Sequence, residues 1–147
     1  MGKTGKRGRN PNKIGAAVPK SIKADFRLDD SPFRWTLKYC LWQHSGWQIT
    51  APKMANIVNT LQELETRKWG EIKSDSGGKA KGHGTNSHFI PISKLPKAEA
   101  KEYLKLDYGD KYDKIFSLRI SSMERLIGVV DMGLFKILWF NPNHEFF

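Results

Sequence analysis

The sequence predicts an α+β fold in which a small antiparallel sheet packs against two helices that lie on one of its faces. Three observations lead to this prediction. Apolar residues alternate with polar ones after Pro32, two segments between residues 50 and 106 carry apolar residues at helical spacing, and three β-rich runs fill the last third of the chain. A length of 147 residues suits one modest domain. We therefore expect a single domain over residues 31–147, preceded by a flexible basic arm over residues 1–30.

The first strand is expected directly after Pro32, because the apolar residues from Phe33 to Leu41 occupy every second position. A period of two is typical of a strand that buries one face. A turn at residues 44–46 is expected to end this strand and lead the chain into the first helix.

Two helices are expected in the middle of the chain. The first begins after Thr50, which is a suitable N-cap residue, carries Pro52 in its first turn and ends near Trp69. The second runs from about Lys94 to Leu106. Its predicted inward residues are Leu95, Ala98, Tyr103 and Leu104. Residues 71–90 lie between the helices, are rich in Ser, Gly and Lys, and predict a long mobile loop.

Three strands in an antiparallel meander are expected at the end of the chain. The runs Ile115–Ile120, Arg125–Val130 and Leu134–Phe140 are rich in β-branched and aromatic residues, and short turns separate them. Gly133 can adopt the positive φ that a three-residue loop over 131–133 requires. The predicted sheet therefore consists of this meander and the strand after Pro32.

Cations on the meander form a candidate phosphate site. If the loop between the first two strands is even, Arg119 and Arg125 point to opposite faces, whereas an odd loop or a bulge places them on the same face. In the even case Arg119, Gly128 and Lys136 share one face. A guanidinium and an ammonium beside a small residue suit a phosphate. The alternative is that these are ordinary solvent-side strand residues.

The net charge of +10 comes mainly from the N-terminal arm. Residues 1–23 hold seven Lys or Arg and no acidic residue, whereas residues 24–147 hold 18 basic and 15 acidic residues. The arm is too poor in apolar residues to fold by itself. We expect Lys6, Arg7 and Arg9 to contact RNA phosphates without sequence preference, and the alternative is a solubilising tail.

Further candidates lie in loops and at the C-terminus. Lys79 and Lys81 predict either an RNA-contacting flap or a solvated linker. Trp42 and Trp47 lie near a turn and are the better candidates for base stacking, while the other large aromatics are expected in the core. His144 follows a strand end and a proline, and imidazole groups in general titrate near neutral pH, which suits proton transfer.

Several classes of protein are excluded by composition. The one cysteine, Cys40, cannot form an internal disulfide, and the four histidines are too loosely spaced for a cysteine-based zinc site. We predict neither a metal nor a cofactor. No apolar run approaches the roughly 18–20 residues needed to cross a bilayer, so we expect a soluble, cytoplasmic protein with no membrane partner.

Short motifs near the C-terminus follow one another in a fixed order. The segment 116–120 reads Phe-Ser-Leu-Arg-Ile, 124–127 reads Glu-Arg-Leu-Ile, and a third apolar strand and His144 complete the series. Together with helices that precede a three-stranded meander, this series resembles the RelE/YoeB type of bacterial toxin. Proteins of that type are small, basic, metal-independent endoribonucleases that cut mRNA, usually on the ribosome, and a cognate antitoxin neutralises them.

The resemblance implies specific roles and partners. Arg119 falls where the family places a catalytic arginine, Arg125 where a second strand arginine helps to shape the site, and His144 where a histidine acts as acid or base. Glu145, Glu71 and His88 are candidates for the partner in proton transfer. The implied partners are mRNA, with or without the ribosome, and an acidic antitoxin. Because the chain ends in Phe rather than the Tyr that is common in the family, a non-catalytic nucleic-acid-binding module of the same fold is the alternative.

Overall fold

The computed structural model describes residues 26–75, 87–106 and 111–143, and the fold is the fold of these ranges. A sheet of five strands contains β1 (Arg34–Thr36), β2 (His88–Pro91), β3 (Lys114–Arg119), β4 (Arg125–Asp131) and β5 (Leu134–Asn141). Its helices are α1 (Ala51–Leu64), α2 (Trp69–Ser74) and α3 (Lys97–Leu104). Within these ranges no helix has both the length and the apolar character that a membrane span requires.

The strand order is β1-β5-β4-β3-β2, with β1 parallel to β5 and every other pair antiparallel. The α+β class is confirmed, as is the meander joined by an N-terminal strand. The sheet differs from the prediction in being mixed and in having an additional edge strand, β2. The predicted loop over 71–90 is also too long, because residues 71–74 complete α2 and residues 88–91 form β2. Residues 76–86 lie outside the described ranges.

The first strand is shorter than the alternating pattern predicts. Only Arg34–Thr36 pair with β5, and a turn follows in which the backbone N–H of Cys40 donates to the carbonyl of Leu37 at 3.2 Å. Leu37 and Cys40 then pack on one side of the sheet, whereas Tyr39 and Leu41 pack on the other. The alternation of apolar and polar residues beyond Thr36 therefore does not indicate a strand. It arises because the chain passes around the edge of the sheet and contacts both faces.

Helix α1 begins as predicted and ends earlier. The hydroxyl of Thr50 accepts a hydrogen bond from the backbone N–H of Lys53 at 3.2 Å, which confirms the N-cap. The helix ends at Leu64 because the chain beyond it pairs with the segment before β1. The backbone N–H of Phe33 donates to the carbonyl of Arg67, and the backbone N–H of Trp69 donates to the carbonyl of Ser31. Trp69 thus begins α2, and its indole N–H donates to the carbonyl of Gly133 at 2.9 Å.

Helices cover both faces of the sheet, not one face as the sequence predicted. One face, which we call the α1 face, packs against α1 and α2. Its buried residues include Phe33, Ile57, Leu61, Trp69, Phe116 and Phe135. The opposite face, the α3 face, packs against α3 and the segment before it. Its buried residues include Leu95, Tyr103, Ile115, Ile127, Val129 and Trp139.

Helix α3 is shorter than the predicted 94–106. Leu95 and Tyr103 are buried as predicted. Ala98 and Leu104 are exposed instead, Leu104 by 62%, because the helix packs through Tyr103 and turns these two side chains outward.

The two hairpins fix which residues share a face. Arg119 stands directly opposite Arg125, so the β3–β4 loop is odd and both arginines lie on the α3 face. In the second hairpin Asp131 pairs with Leu134, which leaves a two-residue loop where three residues were predicted. Met132 and Gly133 have φ values of 52° and 86°, as a type I′ turn requires.

Gly128 serves packing on the α1 face and does not open space for a ligand. The two-residue loop sets Gly128 opposite Ile137, so it does not face Lys136, and the register shifts only beyond it, at Ile127. A Cβ at Gly128 would lie 2.2 Å from the carbonyl oxygen of Lys136 and 2.8 Å from the ring of Phe135. Only glycine fits this approach of two strands.

Candidate functional site

A row of three polar residues crosses the sheet at one end of the α3 face. Arg119 on β3, Arg125 on β4 and Asn141 on β5 stand opposite one another in register. Neighbouring strands are about 4.8 Å apart, so the row spans roughly 10 Å. The row thus places two arginine side chains and one side-chain amide at the end of the sheet where β5 ends.

Arg125 is fully buried and holds the β3–β4 turn. Its Nη1 donates to the carbonyl of Ser121 at 2.6 Å and to that of Glu124 at 2.9 Å. Burial, together with the charge of Arg119, lowers the pKa of Arg125 to about 10, which still leaves it charged at neutral pH. These contacts give Arg125 the geometry of a positioning residue, because its guanidinium points into the turn.

Arg119 is half-buried at the end of β3. Its backbone N–H donates to the hydroxyl of Ser87 at 2.9 Å, which fixes the strand end. Directly opposite residues in an antiparallel pair have Cβ atoms about 4.5–5.5 Å apart, so Arg119 and Arg125 place two like charges side by side. A bound anion would relieve this repulsion, and this end of the face is therefore suited to a phosphate.

His88 lies beside Arg119 on the same face. It is paired with Ser117, so Arg119 is its diagonal neighbour across the β2–β3 pair, at a separation of about 7–8 Å. Glu71, by contrast, lies on α2 with its side chain 58% exposed, on the opposite side of the sheet. Of the predicted partners for proton transfer, His88 is the one within the described ranges that the fold brings next to Arg119.

Lys136 does not join this group. It pairs with Val129, four residues along β4 from Arg125, which is about 13 Å at roughly 3.3 Å per residue. Its Nζ lies 3.4 Å from both the hydroxyl of Tyr112 and a carboxylate oxygen of Asp131. Burial opposes its charge, but Tyr112 and Asp131 outweigh that effect and raise the pKa of Lys136. The predicted cluster of Arg119, Gly128 and Lys136 is therefore not formed.

A cavity of about 400 Å³ opens at the Asn141 end of the row. His44 and Glu99 both line it, and His44 Nε2 lies 2.5 Å from Glu99 Oε2. The backbone N–H of Gly46 donates to His44 Nδ1 at 2.9 Å, so Nε2 carries the proton that faces the carboxylate. The imidazole ring also stacks on Trp139 with 4.9 Å between centroids.

Sequence reasoning missed both His44 and Glu99. His44 stands at a turn and caps the short 3₁₀ helix Ser45–Trp47, which is the only local signal it carries. Fifty-five residues separate it from Glu99, and no spacing rule links two such positions. Only the packing of α3 on the sheet brings them together.

The two tryptophans proposed for base stacking have different environments. Trp47 is buried, and its indole N–H donates to the carbonyl of Leu138 at 3.1 Å. Trp42 is 52% exposed and rests on Trp47 with 4.8 Å between ring centroids. Trp42 is thus the one of the pair whose ring is accessible.

Some of the predicted site residues lie outside the described ranges. They are Lys6, Arg7, Arg9, Lys79, Lys81 and His144, together with Glu145 among the partners for proton transfer. His144 follows Asn143 in the chain, and Asn143 lines the cavity. Within the described ranges, no three His, Cys, Asp or Glu side chains come together in an arrangement able to hold a metal ion.

The chain matches no protein-family model, and comparison with curated proteins and with solved structures likewise gave no match.

Proposed function

We propose that this protein is a metal-independent endoribonuclease of the RelE-like type, the toxin of a toxin–antitoxin system that acts on mRNA. One observation carries the proposal: Arg119 and His88 are diagonal neighbours on one sheet face, next to a second cation at Arg125. A guanidinium near an imidazole is the combination that phosphodiester cleavage needs, namely charge stabilisation and proton transfer.

The reaction requires two proton transfers. A base removes the proton of the RNA 2′-hydroxyl, and the oxygen attacks the adjacent phosphorus. The bond from phosphorus to the 5′-oxygen then breaks, and an acid protonates that oxygen, which gives a 2′,3′-cyclic phosphate and a free 5′-hydroxyl. We assign the two transfers to His88 and His144, and the stabilisation of the negative charge on the phosphoryl oxygens to Arg119.

The remaining cations have supporting roles in this proposal. Arg125 orders the β3–β4 turn and thereby holds Arg119 in register, so it acts as a positioning residue. The arm residues Lys6, Arg7 and Arg9, with Lys79 and Lys81, contribute phosphate contacts without sequence preference. The ribosome and an acidic antitoxin are the proposed macromolecular partners.

Cleavage of a single-stranded RNA by the full chain tests the proposal. Arg119→Ala and His88→Ala should each lower the rate by about 100-fold or more, because a placed donor or proton-transfer group typically contributes that much. Lys114→Ala is the matched control. Lys114 is exposed and lies at the other end of β3 from Arg119, and its substitution removes the same charge. Cleavage at equal rates by the wild type and Arg119→Ala would refute the assignment.

A second candidate is a non-catalytic RNA-binding module. The observation that favours it is the exposed Trp42, since aromatic rings bind bases by stacking with little sequence preference. The same experiment separates the two functions: a binding module holds RNA in a salt-dependent manner and yields no product.

A further inference from the structure

The solvent-exposed side of α3 carries only positive charge. Between residues 93 and 105, the exposed charged residues are all lysines, namely Lys94, Lys97, Lys101 and Lys105. Over residues 51–65, which include α1, the exposed charged residues are instead Glu63 and Glu65. The exposed surfaces of α1 and α3 therefore carry opposite charges.

Three of these lysines form a line along the helix, which we call the α3 stripe. Lys97, Lys101 and Lys105 are spaced four residues apart, so each lies about 6 Å along the helix axis from the next. Like charges four residues apart destabilise a helix, and a cation at its first residue, Lys97, also opposes the helix dipole. A bound polyanion would remove both costs.

The two glutamates of α3 leave most of this charge uncompensated. Glu99 is turned inward and pairs with His44. Glu102 lies 3.3 Å from Lys105, but both side chains are exposed, and exposed pairs contribute little. The other two lysines of the stripe form no ion pair with any residue in the ranges that the structure describes. The α3 stripe thus suits a polyanionic partner.

The remaining surface of α3 favours a nucleic acid over a membrane. A helix that lies in a membrane surface needs a broad apolar face. The apolar face of α3 is used up on the sheet, where Tyr103 is buried, and Leu104 is the one large apolar side chain of the helix that is exposed. Evenly spaced lysines with little apolar surface between them suit the phosphates of a nucleic-acid backbone.

We propose that the α3 stripe binds the phosphate backbone of single-stranded RNA through Lys97, Lys101 and Lys105. The inference rests on the proposed function for the identity of the ligand, since RNA is the substrate named there. Lysine acts as a point charge, so these contacts carry no base preference. Helix α3 covers the sheet face that carries Arg119, and the stripe would therefore hold RNA on the side of the molecule where the candidate site lies.

Binding of the full chain to a 2′-O-methyl RNA oligonucleotide tests the inference. This oligonucleotide has no free 2′-hydroxyl, so binding is measured without cleavage, by fluorescence anisotropy at several salt concentrations. Each phosphate contact on a single strand contributes about 0.7 to the slope of log affinity against log salt concentration. The double variant Lys97→Gln, Lys101→Gln should therefore lower the slope by about 1.4 and weaken binding about tenfold or more at roughly 0.1 M salt.

Two further variants control for net charge and for folding. The double variant Lys38→Gln, Lys68→Gln removes the same charge from two exposed lysines outside α3 and should change the slope by less than half as much. The double variant Lys97→Arg, Lys101→Arg keeps the charge and should keep the wild-type slope. Thermal unfolding followed by circular dichroism checks that each variant folds. Equal slope changes for the two glutamine variants, or no change for either, would overturn the inference.

The partner class and the nuclease have separate outcomes. An unchanged slope for RNA together with lost binding to a poly-glutamate peptide would overturn the inference and indicate an acidic protein partner. A lowered slope in the stripe variant, with no cleavage of ordinary RNA by the wild type, supports the stripe and contradicts the nuclease. Cleavage by a chain whose slope does not depend on the stripe contradicts the inference and leaves the nuclease intact.

Discussion

The two faces of the sheet are built from different chemistry. On the α1 face Trp69 contacts the rings of Phe33, Phe116 and Phe135, with centroids 4.9 to 6.3 Å apart, and its indole N–H is hydrogen-bonded. On the α3 face apolar residues share the interior with polar ones. The buried polar side chains there are Ser117, Arg125 and Asn141.

This difference indicates a division of roles. An interior of packed aromatic rings gains stability from burial and from ring contacts. Buried polar groups contribute little net stability and are costly when they lack partners. The polar residues of the α3 face therefore indicate a place for a site rather than a source of stability. Truncating a buried side chain should always lower stability on the α1 face, whereas on the α3 face the sign should depend on whether the side chain has hydrogen-bond partners.

The largest effect is expected for Trp69→Ala on the α1 face. Removing this fully buried side chain leaves a cavity among three phenylalanines, and the free energy of unfolding should fall by about 3–5 kcal/mol. Urea unfolding followed by circular dichroism measures the loss. Trp69→Phe keeps most of the packing and should cost less. If Trp69→Ala cost under 1 kcal/mol, the α1 face would not be the main source of stability.

Arg125→Ala should have the next largest effect, although the substitution removes the repulsion between the positive charges of Arg125 and Arg119. The carbonyl of Ser121 loses the guanidinium donor, and that of Glu124 keeps only backbone donors such as the N–H of Ile120, so we expect a loss of about 2–3 kcal/mol in the free energy of unfolding. Arg119→Ala, one strand away and half-buried, is the control and should cost less than about 1 kcal/mol. Equal losses for the two variants would contradict the positioning role of Arg125.

Ser117→Ala should have the smallest effect and the opposite sign. The hydroxyl of Ser117 is buried, and no hydrogen-bond partner for it occurs in ranges 26–75, 87–106 and 111–143. Its removal should leave stability unchanged or raise it by up to about 1 kcal/mol, because the cost of burying an unsatisfied group is removed. Denaturant midpoints of variant and wild type give the sign, and a clear decrease would show that the hydroxyl contributes to stability.

Local patterns in the sequence were sufficient where neighbouring residues determine the structure. The Thr50 cap depends on the N–H three residues ahead, and the tight turn at Gly133 depends on a residue that tolerates positive φ. The meander follows from short β-rich runs with turns between them. By contrast, the alternation after Phe33 overstated β1, because a period of two does not reveal where a chain leaves the sheet.

By itself, then, the sequence determined the α+β class, the position of α1 and the three C-terminal strands. Tertiary structure alone decided that Arg119 faces Arg125, that Lys136 lies about 13 Å from Arg125 along the strand, and that His44 meets Glu99. The physical reason is range. Caps, turns and periodicity arise from residues a few positions apart, whereas a one-residue change in register or a bulge moves a side chain to the other face, and only the packed sheet fixes that choice.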